Sequence, residues 1–319
     1  MSSLLFSLNA TVPIFLTMVV GYFLKQFHMV DDHFVKILNK FNFNVSLPAL
    51  LFLDLYEADF YSVWDTKYVL FCFFGTLICI AVIWTLTSLL CKDKSIIGEF
   101  VQGSYRGSAA VLGLAFILNI YGHASVTPLM ILGTVPLYNL MAVVILSFTN
   151  PKHMTGEEPL NREAILKTLL GIAKNPMIIS IGLGLIASLI RLPIPPILVK
   201  TADNLAVLAS PLALIGLGAG FEGRRALKMM KPTLLASAIR LLVQPAIFLP
   251  IAAYLGFRDE KMVALLIMLG APTTASSYIM AKNLHHEGVL TSSIVVTTTF
   301  LSAITMTFWL FVMKQFRLV

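Results

Sequence analysis

The stretch Tyr68-Val-Leu-Phe-Cys-Phe-Phe-Gly-Thr-Leu-Ile-Cys-Ile-Ala-Val-Ile-Trp-Thr-Leu-Thr-Ser-Leu-Leu-Cys91 runs for two dozen positions without an Asp, Glu, Lys or Arg. A helix needs about 20 mostly apolar residues to span a bilayer, so this segment reads as one complete crossing. It is not alone. Residues 1–24, 107–151, 262–281 and 288–313 are equally free of charge. The window 107–151 is too long for one helix and is expected to break at Asn119-Ile-Tyr-Gly-His123, a turn-forming cluster. Residues 1–24 lack a basic leader and a cleavage pattern and contain Pro13, so they read as a retained first helix rather than a signal peptide.

The composition agrees. Of 319 residues, 58% are hydrophobic and 12% charged, about half the charge of a soluble domain. The mean hydropathy is +0.86. Disordered, collagenous and disulfide-stapled classes are excluded, and too few charges remain to cover a soluble core of this size. The net charge of +7 belongs with loops facing anionic lipid rather than with nucleic acid, since no Lys/Arg run has interleaved aromatics. Cys72, Cys79 and Cys91 form no CxxC pair and read as buried thiols. No metal or cofactor motif stands out; the Asp31-Asp32-His33 and His285-His286-Glu287 clusters read as solvated loops.

Ten spans are expected, over 4–25, 36–56, 66–91, 98–120, 124–148, 164–190, 196–221, 231–256, 260–283 and 288–315. With the N-terminus outside, the inner loops carry fourteen Lys and Arg and the outer ones seven, which puts both termini outside. Four coincidences of spacing then organise the chain. Pro13 and Gly21 in the first span recur as Pro176 and Gly184 in the sixth, each at an offset of 163. Pro48 and Pro211, and Gly107 and Gly270, share that offset of 163. Four matches in corresponding spans point to duplication. The expected division is therefore a first five-helix repeat over 1–150, a cytoplasmic linker at 151–163 and a second repeat over 164–319. Five spans per copy invert the second copy, the signature of secondary transporters with sites where interrupted helices meet near the midplane.

Polar residues at membrane depth are the default site candidates. In the second span Asn44 and Ser46 precede Pro48, which loosens the helix; lining a site and packing the bundle weigh equally for Asn44, and packing is favoured for Asn39. The fourth span carries Gln102-Gly-Ser-Tyr-Arg106-Gly-Ser108, and its repeat partner carries Gly270-Ala-Pro-Thr-Thr-Ala-Ser-Ser277. Glycines at 107 and 270 and Pro272 suit broken helices, with Arg106, Ser108, Thr273, Thr274 and Ser277 as anion ligands. Asn139 follows Pro136 in span five. Arg240 is expected to snorkel or pair with a buried acid in a structural role, and Asp203 to cap a helix. Asp203 is also the single midspan acid expected, which weakens the rival reading of an integral membrane enzyme acting on a lipid or prenyl substrate. A membrane sensor or channel is the other rival.

The run Asn39 to Phe52, Arg106-Gly-Ser108 with Gly113, Asn139, Asn175-Pro176, Leu217-Gly218, Arg240 with Pro245, and Ala271-Pro272 through Lys282 together resemble the auxin efflux carrier family. The resemblance covers about residues 10–316 and extends to plant auxin carriers and bacterial organic-acid carriers. It implies an all-α integral membrane fold of ten helices in two inverted repeats, similar to the bile-acid/sodium symporters, with crossed, interrupted helices four and nine. It further implies a scaffold of spans 1, 2, 6 and 7 beside a moving unit of the other six, a homodimer and elevator-like transport. The plant crossover prolines align with Ala115 and Ser277 here, and the plant fourth-span Asn aligns near Ser108. A carrier of small carboxylates is therefore a closer match than an auxin carrier. The coupling ion, proton or sodium, is left open, and surrounding lipid is the one macromolecular environment expected.

The charge bias makes a direct prediction. Single cysteines at Thr155 and at the C-terminus should react with a membrane-impermeant thiol reagent from opposite sides of the membrane. Labelling from one side would remove the odd number of crossings per repeat.

Overall fold

The structure, a computed structural model, describes residues 3–57, 64–109, 117, 120–121, 126–154 and 162–319. Gly113, Ala115, Thr155 and most of the expected break at 119–123 lie outside the described residues. Among the described residues the fold is all helix; the only strand-like pairing is an isolated bridge between Gly107 and Thr273.

The helices in chain order are α1 (Ser3–Gln26), α2 (Asp32–Phe41) and α3 (Leu47–Tyr56) joined by a π turn at Asn42–Ser46, α4 (Thr66–Leu90), α5 (Ile97–Tyr105) and α6 (Thr127–Phe148). The second half has α7 (Arg162–Ala173), α8 (Pro176–Leu189), α9 (Pro196–Ala206) and α10 (Ala209–Ala219). Then follow α11 (Met230–Ala238) and α12 (Gln244–Tyr254) joined by a π turn at Ile239–Val243, α13 (Glu260–Gly270), α14 (Ser276–Asn283) and α15 (Val289–Gln315). Five of these stretches are long and apolar enough to cross a membrane: α4, α6, α9–α10, α11–α12 and α15. The pair α7–α8 makes a sixth if its 47° bend is counted within one span. Of the other expected crossings, the first is α1, one helix of 24 residues; the second and ninth are divided into shorter helices, and the helix of the fourth ends at Tyr105.

Local chemistry explains where helices start and break. Asp65 caps α4 by accepting from the Tyr68 N–H at 3.0 Å, and its ion pair with Lys261 holds its carboxyl below the usual range. Asn175 caps α8 through the Met177 N–H at 2.9 Å, and Pro176 supplies the first-turn φ, so the bend falls at Asn175-Pro176. Each π turn lies just before a proline, Pro48 or Pro245. A proline lacks the N–H for the carbonyl four residues back and crowds it, and a wider turn relieves that clash. In the second case the Leu241 carbonyl is taken up by the Trp309 indole N–H at 2.9 Å.

Along α4, Leu70, Phe74, Ile78, Val82 and Leu86 form an exposed stripe at four-residue spacing, while Tyr68, Cys72, Cys79 and Ile80 are buried behind it. An outward apolar stripe of this length suits hydrocarbon. The thiols of Cys72, Cys79 and Cys91 are free. The interior forms two large apolar clusters. One gathers side chains of α4, α5, α6, α12, α13 and α15. The other gathers α1, α3, α6, α8, α10 and α14.

Close helix approach depends on a matched pair of glycines. A Cβ on Gly21 in α1 would collide with the Ile215 backbone of α10, and one on Gly184 in α8 would collide with the Phe52 backbone of α3. Gly184 follows Gly21 by 163 residues, and Ile215 follows Phe52 by the same 163. The two contacts are therefore the same contact with the partners exchanged. Glu99 near the start of α5 is a buried acid with a structural post: it accepts from the Gly288 and Thr291 N–H groups, both at 2.8 Å, where a carboxylate stabilises the start of α15.

Replacing Gly21 or Gly184 by Leu must push the paired helices apart, an overpacking cost of about 1–3 kcal/mol or more. Each variant is expected to melt below the parent in detergent by size-exclusion thermostability. Melting unchanged in both would show that the backbones do not meet there.

Candidate functional site

The centre of the molecule is where two helices stop short. Helix α5 ends at Tyr105 and α13 at Gly270, and the extended segments after them pair: the Ser108 N–H donates to the Pro272 carbonyl at 2.9 Å beside the Gly107–Thr273 bridge. Two helix C-termini brought together present converging carbonyls and the negative ends of two dipoles.

Arg240 meets both. It is fully buried, and its π turn carries the guanidinium between the two ends. Nη1 donates to Tyr105 O at 2.7 Å, Nη2 to Met268 O at 2.7 Å and Nε to Ala271 O at 2.8 Å. The Gln244 amide oxygen accepts from Nη1 at 3.2 Å, and its nitrogen donates to Ser104 O at 2.6 Å. Gly107 has to be glycine because a Cβ there would overlap the guanidinium. Arg240 thus does not snorkel, and among the described residues it pairs with no acid. Its counter-charge is the set of carbonyls that helix interruption sets free, a partner that composition does not reveal.

Beside this crossing lies a cavity of about 150 Å³. Arg106, Gly107, Ser108, Asn139, Pro272, Thr273 and Thr274 all line it, with Leu47, Leu50, Leu51, Val135, Ala213 and Leu214 as the main apolar wall. Arg106 is 4% exposed. Its Nη2 donates to Asn139 Oδ1 at 2.5 Å, and Nη1 faces the Met280 sulfur. Asn139 in turn donates to Val135 O at 2.9 Å, a carbonyl facing the cavity wall one turn back. With its amide turned to satisfy both neighbours, Gln102 accepts from Arg106 Nη1 at 3.2 Å and donates to Ser277 O at 3.3 Å. Arg106 is thus held at the cavity wall by Asn139 and Gln102. Among the described residues it forms no ion pair.

The hydroxyls divide. Thr273 donates its hydroxyl to Gly103 O at 2.8 Å, and its N–H donates to the Thr298 hydroxyl at 3.0 Å, locking the crossing. Thr274 faces the cavity with its hydroxyl 3.2 Å from that of Ser276, at the start of α14. Ser277 is buried behind the wall, its hydroxyl without a partner. Ser46 is likewise buried and unpartnered, one residue outside the lining. Asn44 is exposed and donates to Lys40 O at 2.7 Å, away from the cavity. In span two it is Asn42 that reaches across, donating to Ala209 O at 2.9 Å between α2–α3 and α10. Pro48 and Pro211 stand in the first turns of α3 and α10, each just after an interruption, and Gly270 closes α13 against Pro245.

The acid expectation is corrected. Asp203 does not start a helix; it is exposed in the middle of α9. Asp54, near the end of α3, lines the cavity that holds Arg106. It is not among the residues singled out from the sequence; it lies two residues before the end of α3, and only the tertiary packing places it on the cavity.

Removing the Arg240 guanidinium leaves the Tyr105 and Ala271 carbonyls without a donor, at roughly 1–3 kcal/mol each, and leaves Met268 O with the Tyr138 hydroxyl alone. Arg240→Ala should yield little folded protein, and Arg240→Lys, which offers a point charge in place of the fork, should melt between the alanine variant and the parent. Equal melting of Arg240→Lys and parent by size-exclusion thermostability would show that the shared fork is not needed.

Comparison with known proteins now bears on the geometry. Residues 6–310 match the family described as membrane transport protein. An uncharacterised transporter of Methanothermobacter thermautotrophicus is 24% identical over 95% of this chain and 97% of its own length. An uncharacterised transporter of Methanocaldococcus jannaschii is 22% identical over 92% of this chain and 94% of its own. Together with the apolar helices these matches make the molecule a multi-pass membrane protein, and the chain belongs to the membrane transport protein family, whose members are auxin efflux carrier-like.

Proposed function

We propose that the chain is a secondary carrier of small organic anions, carboxylates above all, working by alternating access. The observation that carries this reading is Arg106: a guanidinium 4% exposed, at the wall of a cavity beside two interrupted helices, held in place by the neutral Asn139 amide. An arginine at the bilayer centre costs about 2.5–3.5 kcal/mol even on the lenient insertion scale. Neutral hydrogen bonds orient it without cancelling its charge, which leaves a planar fork ready for a carboxylate. The start of α14, with Thr274 and Ser276 on the cavity, adds N–H and hydroxyl donors at the positive end of a helix. The cavity's modest size and largely apolar wall favour an anion of a few carbon atoms.

Ten crossings in two inverted repeats fit the same picture. To the six stretches that pass as spans, α1, α2–α3, α5 and α13–α14 would add four: α1 is a single helix of 24 residues, and the other three are interrupted. The exchanged contacts of Gly21 and Gly184 are what a pseudo-two-fold axis in the membrane plane would produce. The packing groups α1 with α10 and α3 with α8 and α9; a second set has α4, α5 and α6 together and α13 with α12 and α15. The first set corresponds to spans 1, 2, 6 and 7. In an elevator-like movement the α1–α15 contact, where Phe15 meets Phe300, would be an interface between the two units. On this reading the molecule sits in the cell membrane with both termini outside, and transport rather than catalysis is its activity.

Counterflow in proteoliposomes tests the reading. Vesicles preloaded with lactate, pyruvate, malonate or succinate should accumulate labelled anion of the same kind, with saturation. Losing a charge-assisted bidentate contact costs about 1.5–3 kcal/mol, so Arg106→Lys should raise the half-saturating concentration roughly tenfold to a hundredfold. Normal insertion of Arg106→Lys with unchanged affinity and rate would remove Arg106 from substrate binding.

A further inference from the structure

The cavity contains a second charge that anion binding alone does not use. Asp54 lines it together with Arg106, and among the described residues these are its two formally charged side chains. Asp54 is half-buried and makes no hydrogen bond or ion pair among the described residues. The other groups able to influence it are few. Helix α6 brings Tyr138, whose hydroxyl is committed to Met268 O at 2.8 Å. Glu57 lies one turn further along α3 itself, and α9 carries Lys200 and Asp203, both exposed. Helices α8 and α10 bring no titratable side chain, and the one basic side chain of α1, Lys25, lies at the far end and pairs with Asp32.

We propose that Asp54 is the proton-binding group of the carrier, so that each monoanion enters the cavity together with one proton held on the Asp54 carboxylate. This rests on the anion reading above and adds the coupling ion to it. Without substrate, ionised Asp54 and Arg106 leave the cavity neutral. A monoanion on Arg106 beside an ionised Asp54 would leave one uncompensated negative charge in a low-dielectric cavity. Protonation of Asp54 from the aqueous side restores neutrality, and its release on the opposite side returns the empty, neutral cavity. Sodium is the less suitable coupling ion at the crossing. The carbonyls that interrupted helices would offer a cation are those of Tyr105, Met268 and Ala271, and the Arg240 guanidinium already holds all three.

The sign of the pH effect follows. The proton-bearing form binds the anion, so affinity is highest at low pH and falls as pH rises through the Asp54 titration, by about tenfold per pH unit on the alkaline side. Lactate and pyruvate, as ordinary carboxylates, stay ionised between about pH 6 and about pH 8, so the change cannot come from the substrate. The experiment uses whichever of lactate, pyruvate, malonate or succinate exchanges in counterflow, in vesicles with an entrapped pH dye and a clamped membrane potential. In the parent, net uptake should acidify the interior in step with anion entry, in sodium-free buffer. Asp54→Asn should carry anion without that acidification and with half-saturation independent of pH, and Asp54→Glu should restore both. Acidification by the parent that persists in Asp54→Asn would overturn the assignment. So would anion entry into parent vesicles with no proton movement, or a parent that exchanges zwitterionic amino acids in preference to anions, which would make Asp54 an ammonium ligand. If Asp54→Asn does not fold, the parent's proton-to-anion ratio and the Asp54→Glu profile decide the matter. Absence of counterflow by the parent with every anion is a separate outcome: it defeats the carboxylate reading and takes this one with it.

Discussion

The fold hinges on one cation and the backbone it holds. Two helices that stop inside an apolar bundle expose carbonyls that hydrocarbon cannot solvate, and each would cost several kcal/mol if left alone. Arg240 collects three of them, from Tyr105 at one end and Met268 and Ala271 at the other, and Gln244 takes the carbonyl of Ser104. One buried charge and the carbonyls it satisfies are thus mutually necessary. The guanidinium would be prohibitively expensive in an intact helical bundle, and the interruptions would be equally so without it. The π turn before Pro245 belongs to the same device, because a regular helix would aim residue 240 elsewhere.

The second arginine is arranged on the opposite principle. Arg106 sits just past the end of α5, next to Tyr105, yet its bonds are to the Asn139 amide, the Gln102 amide and a thioether. These orient the guanidinium while leaving its charge uncompensated. One cation is saturated and the other, near it in space though 134 positions away in the chain, is incompletely satisfied, and the proposed binding role of Arg106 rests on that difference. Asp54 across the cavity gives that unspent charge a counterpart whose own charge can be changed by a proton, which links substrate binding to pH without any further element.

Much of this was legible early. Charge-free windows marked the long apolar helices, and Gly107, Gly270 and Pro272 marked where helices stop. Arg106, Ser108, Asn139, Thr273 and Thr274 were singled out as polar residues at membrane depth, and all five line the cavity. Asn44 was singled out for the same reason and is exposed, while Asn42 two residues earlier makes the cross-helix bond. The π turn rotates the residues around it away from the 3.6-residue register by which faces are assigned. Asp203 and Asp54 exchanged importance for a related reason: distance along a span says how deep a side chain lies, not toward which neighbour it points.

The sequence by itself determined the class of the molecule, the approximate limits of its helices and the places where they break, because those depend on local composition, on proline's missing N–H and on glycine's missing side chain. Only the tertiary structure decided which residues share the cavity and what satisfies Arg240. The cavity draws on α3, the end of α5, α6, α10 and the start of α14, elements more than two hundred residues apart at the extremes. In a soluble helix the polar face would have revealed the orientation of each. Here lipid and protein interior are both apolar, so the periodicity that distinguishes the two faces is largely absent from the sequence and the rotation of every helix is set by packing against its neighbours.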